Sequence, residues 1–319
     1  MLSYFFEDHS ILAFSGVLTA FLLTCYMISK CSEYLPKDQG RDFAVDGKKS
    51  AGKPRGAGII FVLVFAVATL FFTKLTTEIC VYLILIVIEM LTGFFDDTAK
   101  KPWGELRKGI ADLVIAAAVS FTYLYYNSST ITFGHITMTL PPMLFLLGAT
   151  ILVWVSINVT NCADGVDGLS GTLTIITLIT IYVISNVLAQ GEDFSLPILL
   201  FIVCILGYLW YNATPSRLLM GDAGSRAMGV FISIAILKTG NPLLYIPAAF
   251  VLIMDGGLGL VKVALIRLCK IHILKKVLTP LHDHVRKKLG WSNTQTVYRF
   301  TIIQIVISVA TVYMLSILI

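Results

Sequence analysis

Ten apolar stretches divide this chain, roughly residues 10–29, 57–73, 79–95, 110–126, 141–157, 172–189, 196–211, 226–238, 243–267 and 300–318. A helix needs about 20 residues to cross about 30 Å of hydrocarbon, and most of these stretches meet that length. With 57% hydrophobic and 13% charged residues in 319, the chain is too apolar for a soluble domain. Inside lipid every backbone N–H and C=O must be satisfied within the protein, which leaves helices for spans of this kind. The expected fold is therefore all-α: a polytopic integral membrane protein of about ten transmembrane helices, with one membrane domain over residues 1–319. The start, MLSYFFEDHS, is acidic and does not resemble a cleavable signal. The run DGGLG from Asp255 puts paired glycines in the ninth span, where a break near Asp255–Gly257 is expected.

Lys and Arg set the orientation. With ten spans, the loops near 30–56, 96–109, 158–171, 212–225 and 268–299 share one side, and only Lys74 and Lys238 of the 24 Lys and Arg fall on the other. The positive-inside rule then puts those five loops in the cytoplasm and both termini outside. Anchoring to anionic lipid accounts for the basic balance, so no nucleic acid is implied. The six cysteines form no CxxC pair and read as small packing residues.

Five of the chain's nineteen acids are aspartates grouped at the mouths of apolar segments on this side: Asp96 and Asp97 in GFFDDTAK, Asp164 and Asp167 in NVTNCADGVDGLSG, and Asp222 in MGDAGS. Two carboxylates about 4 Å apart repel by roughly 4 kcal/mol at an effective dielectric near 20. Such a cluster is best tolerated when a divalent cation or a cationic substrate clamp shares it, which points to metal-assisted chemistry on phosphate. Lys100 follows the Asp96–Asp97 pair, and Lys108 begins the next span. Asn158, Asn161, Asp164 and Asp167 recur every three residues, a spacing that would stack them on one helical face, with donors and acceptors for a nucleobase and sugar hydroxyls. Asn212, ten residues before Asp222, could face the same cavity.

The first loop, DFAVDGKKSAGKPRGAG, interleaves Lys48, Lys49, Lys53 and Arg55 with glycines, as an anion cradle would. In the last, TPLHDHVRKKLGW, His282 and His284 suggest phosphate contact more than a zinc site, and the preceding IHILKKVL reads as amphipathic. Glu89 and Asp255 lie inside spans, so both should face protein or water. Asp112 and Lys108 have the spacing of an i,i+4 pair.

GFFDDTAK, NVTNCADGVDGLSG, NATPSRLLMGDAGS and PLHDHVRKKLGW resemble, in order, the motifs of the polyprenyl-phosphate N-acetylhexosamine-1-phosphate transferases, and the string through TVYRF is similar to the muramoyl branch. The resemblance implies transfer of phospho-MurNAc-pentapeptide from UDP-MurNAc-pentapeptide to undecaprenyl phosphate, giving lipid I and UMP with Mg²⁺. It also implies a homodimer in the bacterial plasma membrane with its site on the cytoplasmic face. By position, it makes Asp96 and Asp97 the acidic pair at the diphosphate, and Asp222, with that pair, the magnesium ligand. Asn161, Asp164 and Asp167 then belong to the nucleotide-sugar pocket, and His282 and His284 to the outer places of a His triplet. Read from the residues themselves, Asn158 and Asn212 join the substrate-binding set, with Lys49 from the first loop and Lys100 or Lys108 to neutralise the diphosphate. Three residues depart from the pattern: Asp283 replaces the middle His, Leu219 replaces an aromatic expected to stack on uracil, and KSAGKPRGAG replaces the usual first-loop motif. A UDP-GlcNAc transferase and a cation-coupled transporter are the competing readings; the absence of a visible repeat speaks against the transporter.

Overall fold

The computed structural model describes residues 9–40, 50–99, 101, 103–133 and 136–318. In order, the elements are α1 (His9–Cys31), α2 (Gly58–Phe72), α3 (Thr77–Thr98), α4 (Glu105–Tyr126), the strands β1 (Thr130–Phe133) and β2 (Ile136–Thr139), α5 (Pro142–Cys162), α6 (Leu169–Leu188), α7 (Ser195–Asn212) and α8 (Gly221–Lys238). There follow the short α9 (Tyr245–Ala248), α10 (Phe250–Leu252) and α11 (Leu258–Ala264), then α12 (Leu281–Leu289) and α13 (Asn293–Leu318). Among the described residues seven helices are long and apolar enough to cross a membrane, and the bent pair Pro242–Ala248 and Phe250–Cys269 makes an eighth. All ten apolar stretches of the sequence fall on helix, but α2 has only 15 residues and α8 carries Asp222, Arg226 and Lys238.

The bundle is built around α8, whose residues Gly221–Leu237 are all buried. It packs on α2, α3, α5 and α6. Small residues make this close approach possible: a Cβ on Gly58 of α2 would come within 2.0 Å of the Gly224 backbone. Below that contact an aromatic cluster fills the core, with Phe65 edge-on to Phe231 at 5.2 Å and Phe201 beside Phe231 at 4.3 Å. The outer helices turn apolar side chains outward, such as Ile11, Phe14 and Leu22 on α1 and Ile302 and Val309 on α13. Such an apolar exterior suits lipid.

The ninth span bends elsewhere than expected. The 74° bend falls between Ala248 and Phe250, and Gln304 of α13 satisfies the backbone groups freed there. Its Nε2 donates to the Pro247 and Ala248 carbonyls at 3.1 and 3.0 Å, and its Oε1 accepts from Val251 N at 2.9 Å. Ile253–Gly257, which holds the DGG run, is instead a π-helical stretch. Gly256 serves packing: a Cβ there would lie 2.3 Å from the Val159 carbonyl oxygen of α5. Segment 271–278 forms no helix, and Lys262 Nζ donates to its Leu274 and Val277 carbonyls at 3.2 and 2.9 Å. The two-stranded hairpin β1–β2 has no counterpart in the sequence reading. All six cysteines are free.

Candidate active site at the end of the bundle

Asp96 and Asp97 close the last turn of α3, where the negative end of the helix dipole disfavours acids. The fold answers by butting that end against the N-terminus of α8, so that Ala223 N donates to Asp97 Oδ2 at 3.2 Å. This needs Gly221, whose φ is +68° and where a Cβ would lie 2.1 Å from Asp97 Oδ2. Asp222, in the first turn of α8, thereby joins the α3 pair. Two cations bind the three acids together. Lys108 of α4 contacts Asp96 Oδ2 and reaches Asp222 Oδ2 at 3.0 Å. Arg55 donates to Asp97 Oδ1 at 2.8 Å and lies 3.7 Å from Asp222 Oδ1.

Arg55 comes from a segment held on both sides. Its own amide donates to Pro36 O at 2.8 Å, while Leu219 N donates to Pro54 O at 2.8 Å and Ala57 N to Leu219 O at 3.0 Å. Its NH1 also reaches Asp38 at 3.1 Å. Burial alone would lower the Arg55 pKa, but Asp97 and Asp222 outweigh it and hold the pKa above its ordinary value, so the guanidinium stays charged. Lys53 Nζ donates to Ser216 Oγ at 2.8 Å rather than to Asp96, Asp97 or Asp222. Lys49 and Lys100 lie outside the described residues.

The three-residue register of Asn158, Asn161, Asp164 and Asp167 is not carried by one helix, because α5 stops at Cys162. Asn161 does join the cluster: it donates to Ser225 Oγ at 2.9 Å, one turn along α8 from Asp222, and its amide helps hold the Asp222 carboxylate ionised. Asn158 instead donates to Asp112 Oδ2 at 3.2 Å, deeper in the bundle. Asp164 accepts from Ser170 Oγ at 2.8 Å, and Asp167 accepts from Ser216 N at 3.1 Å. Asn212 is used at both ends: its Oδ1 accepts from Gly168 N and its Nδ2 donates to Leu218 O, each at 2.8 Å. It staples two site loops rather than facing a cavity. Nor does Lys108 pair with Asp112, whose partner is Arg226.

His282 is buried, and Asp255 of the π turn holds it twice: Oδ1 accepts from His282 N at 2.7 Å and Oδ2 from Nδ1 at 2.8 Å. That bond places a proton on Nδ1, and Nε2 lies against Gly165 in the turn after α5, 3.9 Å from Asp283 Oδ1. Arg286 locks the same corner, donating to Asp283 Oδ1 at 2.8 Å and to Gly165 O at 3.2 Å. His284 Nδ1 accepts from Leu278 N at 3.2 Å and orders the loop before α12. Sequence reasoning noted both Asp255 and His282 but not that they pair, and it passed over Arg226 and Arg286. Arg226 had a signal: a cation inside an apolar span needs an acid, and Glu89 was an intramembrane acid with no cation assigned to it.

No three His, Cys, Asp or Glu side chains converge as a metal site among the described residues, since Lys108 and Arg55 occupy the space between Asp96, Asp97 and Asp222. In kind, three carboxylates and the Asn161 amide are the hard oxygen donors that suit Mg²⁺.

The family model described as Glycosyl transferase family 4 matches residues 79–240, about half of the chain, from α3 to just beyond α8. A phospho-N-acetylmuramoyl-pentapeptide-transferase of Treponema pallidum (strain Nichols) is 36% identical over 318 residues, covering 93% of this chain and 88% of that protein. Enzymes of the same name from Clostridium acetobutylicum and from a Wolbachia of Drosophila simulans are 28% and 26% identical, over 84% and 94% of this chain and 87% and 96% of their own lengths. The acid cluster falls inside the matched region, and the histidine corner inside the longer alignments, so this chain belongs to glycosyl transferase family 4, in its phospho-N-acetylmuramoyl-pentapeptide-transferase group.

Proposed function

We propose that the protein transfers phospho-MurNAc-pentapeptide from UDP-MurNAc-pentapeptide to undecaprenyl phosphate, giving lipid I and UMP for peptidoglycan synthesis, at the cytoplasmic face of a bacterial plasma membrane. The observation that carries this reading is the cluster of Asp96, Asp97 and Asp222 cross-linked by Lys108 and Arg55, in a chain 36% identical to an enzyme of that name. Ten spans with both termini outside, and a homodimer, complete the proposal.

Asp222 with Asp96 and Asp97 would hold Mg²⁺, which supplies charge neutralisation at the diphosphate as negative charge moves to the UMP leaving group. Lys108 is the more exposed of the two cations, with 29% of its side chain accessible against 19% for Arg55. It is the group free to leave the carboxylates and bind a diphosphate oxygen. Asp97 has a fully buried side chain with both oxygens engaged, which makes it a poor covalent nucleophile and favours direct attack by the lipid phosphate. A phosphate monoester is already largely a dianion near pH 7, its second pKa being about 6, so no covalent relay is needed. Asp96 then orients the attacking phosphate, and Asn161, Asp164 and Asp167 line the nucleotide-sugar pocket. His282, held by Asp255, offers Nε2 to the substrate. The test is UMP release by purified protein given undecaprenyl phosphate with UDP-MurNAc-pentapeptide or with UDP-GlcNAc. Release with the first alone is expected; release with UDP-GlcNAc alone moves the protein to the sister activity.

A further inference from the structure

Beneath the carboxylate cluster lies a second charged group that the proposed chemistry does not use. Arg226 Nε is 2.9 Å from Glu89 Oε1, and Arg226 NH2 contacts Asp112 Oδ1. All three side chains are buried, at 2%, 0% and 2% exposure. Asn158 donates to the remaining Asp112 oxygen at 3.2 Å, and Trp154 Nε1 of the same helix donates to Gly109 O, beside Lys108, at 3.0 Å. The placement follows the helical repeat. Arg226 is four residues from Asp222 on α8, Asp112 four from Lys108 on α4, and Glu89 seven from Asp96 on α3. Residues four and seven apart share a helix face, so each helix that supplies the cluster also supplies one member of the buried triad, one or two turns deeper.

Stability does not account for three buried charges, because replacing a buried ion triad with apolar groups of similar volume is often neutral or stabilising. Such a triad can instead fix register, since Asp112 is held by directional bonds from Arg226 and Asn158 and Glu89 by a buried ion pair with Arg226 that leaves both its oxygens without a hydrogen bond, so an axial slip of any one helix separates the charges. We infer that Arg226, Glu89 and Asp112 are positioning residues that set the relative heights of α3, α4 and α8, so that Lys108 reaches Asp96 and Asp222 at once. The inference rests on the transferase reading only for its activity assay.

The test uses Asp112→Asn and Arg226→Met in the full-length detergent-solubilised protein, with two readouts. In the first, turnover falls about tenfold or more while the KM for each substrate stays within about threefold, the pattern of an interaction lost in the transition state. Arg226→Lys, which keeps the charge but not the fork, restores part of it. In a Lys108→Ala background Asp112→Asn costs no further turnover, because the two changes act through one contact. In the second readout, modification by an amine-reactive reagent without substrate is followed by mass spectrometry. Lys108 labels faster in Asp112→Asn than in the parent, while Lys238 at the far end of α8 is unchanged. Parent-like turnover and Lys108 labelling in Asp112→Asn overturn the inference, as does equal acceleration at Lys108 and Lys238, which means general loosening. Asp112→Asn is nearly isosteric and carries the test alone if Arg226→Met does not fold. The labelling readout stands even if the parent protein releases no UMP, an outcome that sinks only the transferase assignment.

Discussion

The two ends of α8 solve one electrostatic problem in different ways. At each end a lysine sits between two acids: Lys108 between Asp96 and Asp222, Lys238 between Glu78 and Asp193. Around Lys238 the partners are saturated. Glu78 Oε1 accepts from Tyr82 Oη at 3.0 Å and Asn127 Nδ2 at 2.7 Å, Oε2 is 3.0 Å from Lys238 Nζ, and Asp193 is 43% exposed to solvent that screens it. Beside this network opens a polar cavity of about 470 Å³ lined by Asn127, Asp193 and Lys238. At the other end, among the described residues, Asp38, Asp96, Asp97 and Asp222 share Arg55 and Lys108, two cations for four acids. The dipole of α8 favours an acid at its start and a cation at its finish, and both ends obey it. What separates a structural knot from a reactive site is the surplus: unneutralised carboxylate that an incoming cation can use.

The largest test of that contrast is Asp222→Asn. It should reduce UMP release about a thousandfold or more, as losing a transition-state electrostatic group does, with the thermal midpoint within a few degrees of the parent. Near-normal turnover would remove Asp222 from the chemistry. Next comes metal removal. Treatment with EDTA should stop UMP release, and Mg²⁺ should restore it; a chelated enzyme that keeps working has no need of a divalent cation. The third test sets the lysines against each other. Lys108→Met should lower turnover about a hundredfold, whereas Lys238→Met should leave turnover within about threefold and destabilise the fold, breaking a buried pair being worth about 3 kcal/mol. Equal effects of the two on turnover would erase the distinction between the ends. The smallest is a pair of glycines with positive φ. Gly221→Ala meets Asp97 and should impair activity, while Gly240→Ala (φ +70°) has nothing within 4 Å and should cost only about 1–2 kcal/mol of backbone strain. Turnover and thermal melts of both variants decide it.

Periodicity carried the helical segments, because apolar runs of this length have few alternatives, and the acids of the cluster were legible because they are scarce and grouped. The partners were harder. Arg55 and Lys108 reach the acids through contacts between residues 42 and 114 apart, distances that no local pattern encodes. Asn212 looked like a cavity residue because its type fits ligand binding, yet both its ends are spent on loop backbone. The bend at Ala249 was misplaced for a similar reason. The glycines at 256 and 257 suggest weakness, whereas the residue that makes a break tolerable, Gln304, lies in another helix.

The π turn at Ile253–Gly257 also bears on how relatives should be aligned. A π turn holds one residue more than an α turn over the same rise, which is what a single inserted residue leaves behind. Each residue of an α-helix turns about 100°, so a relative lacking that residue would carry its counterpart of Asp255 on another face, out of reach of its histidine loop. One-residue gaps between relatives should therefore cluster in 253–257, and the chains with a gap should also lack the acid or the histidine of the Asp255–His282 pair. If gapped relatives keep both partners, the extra residue is not what aims the carboxylate.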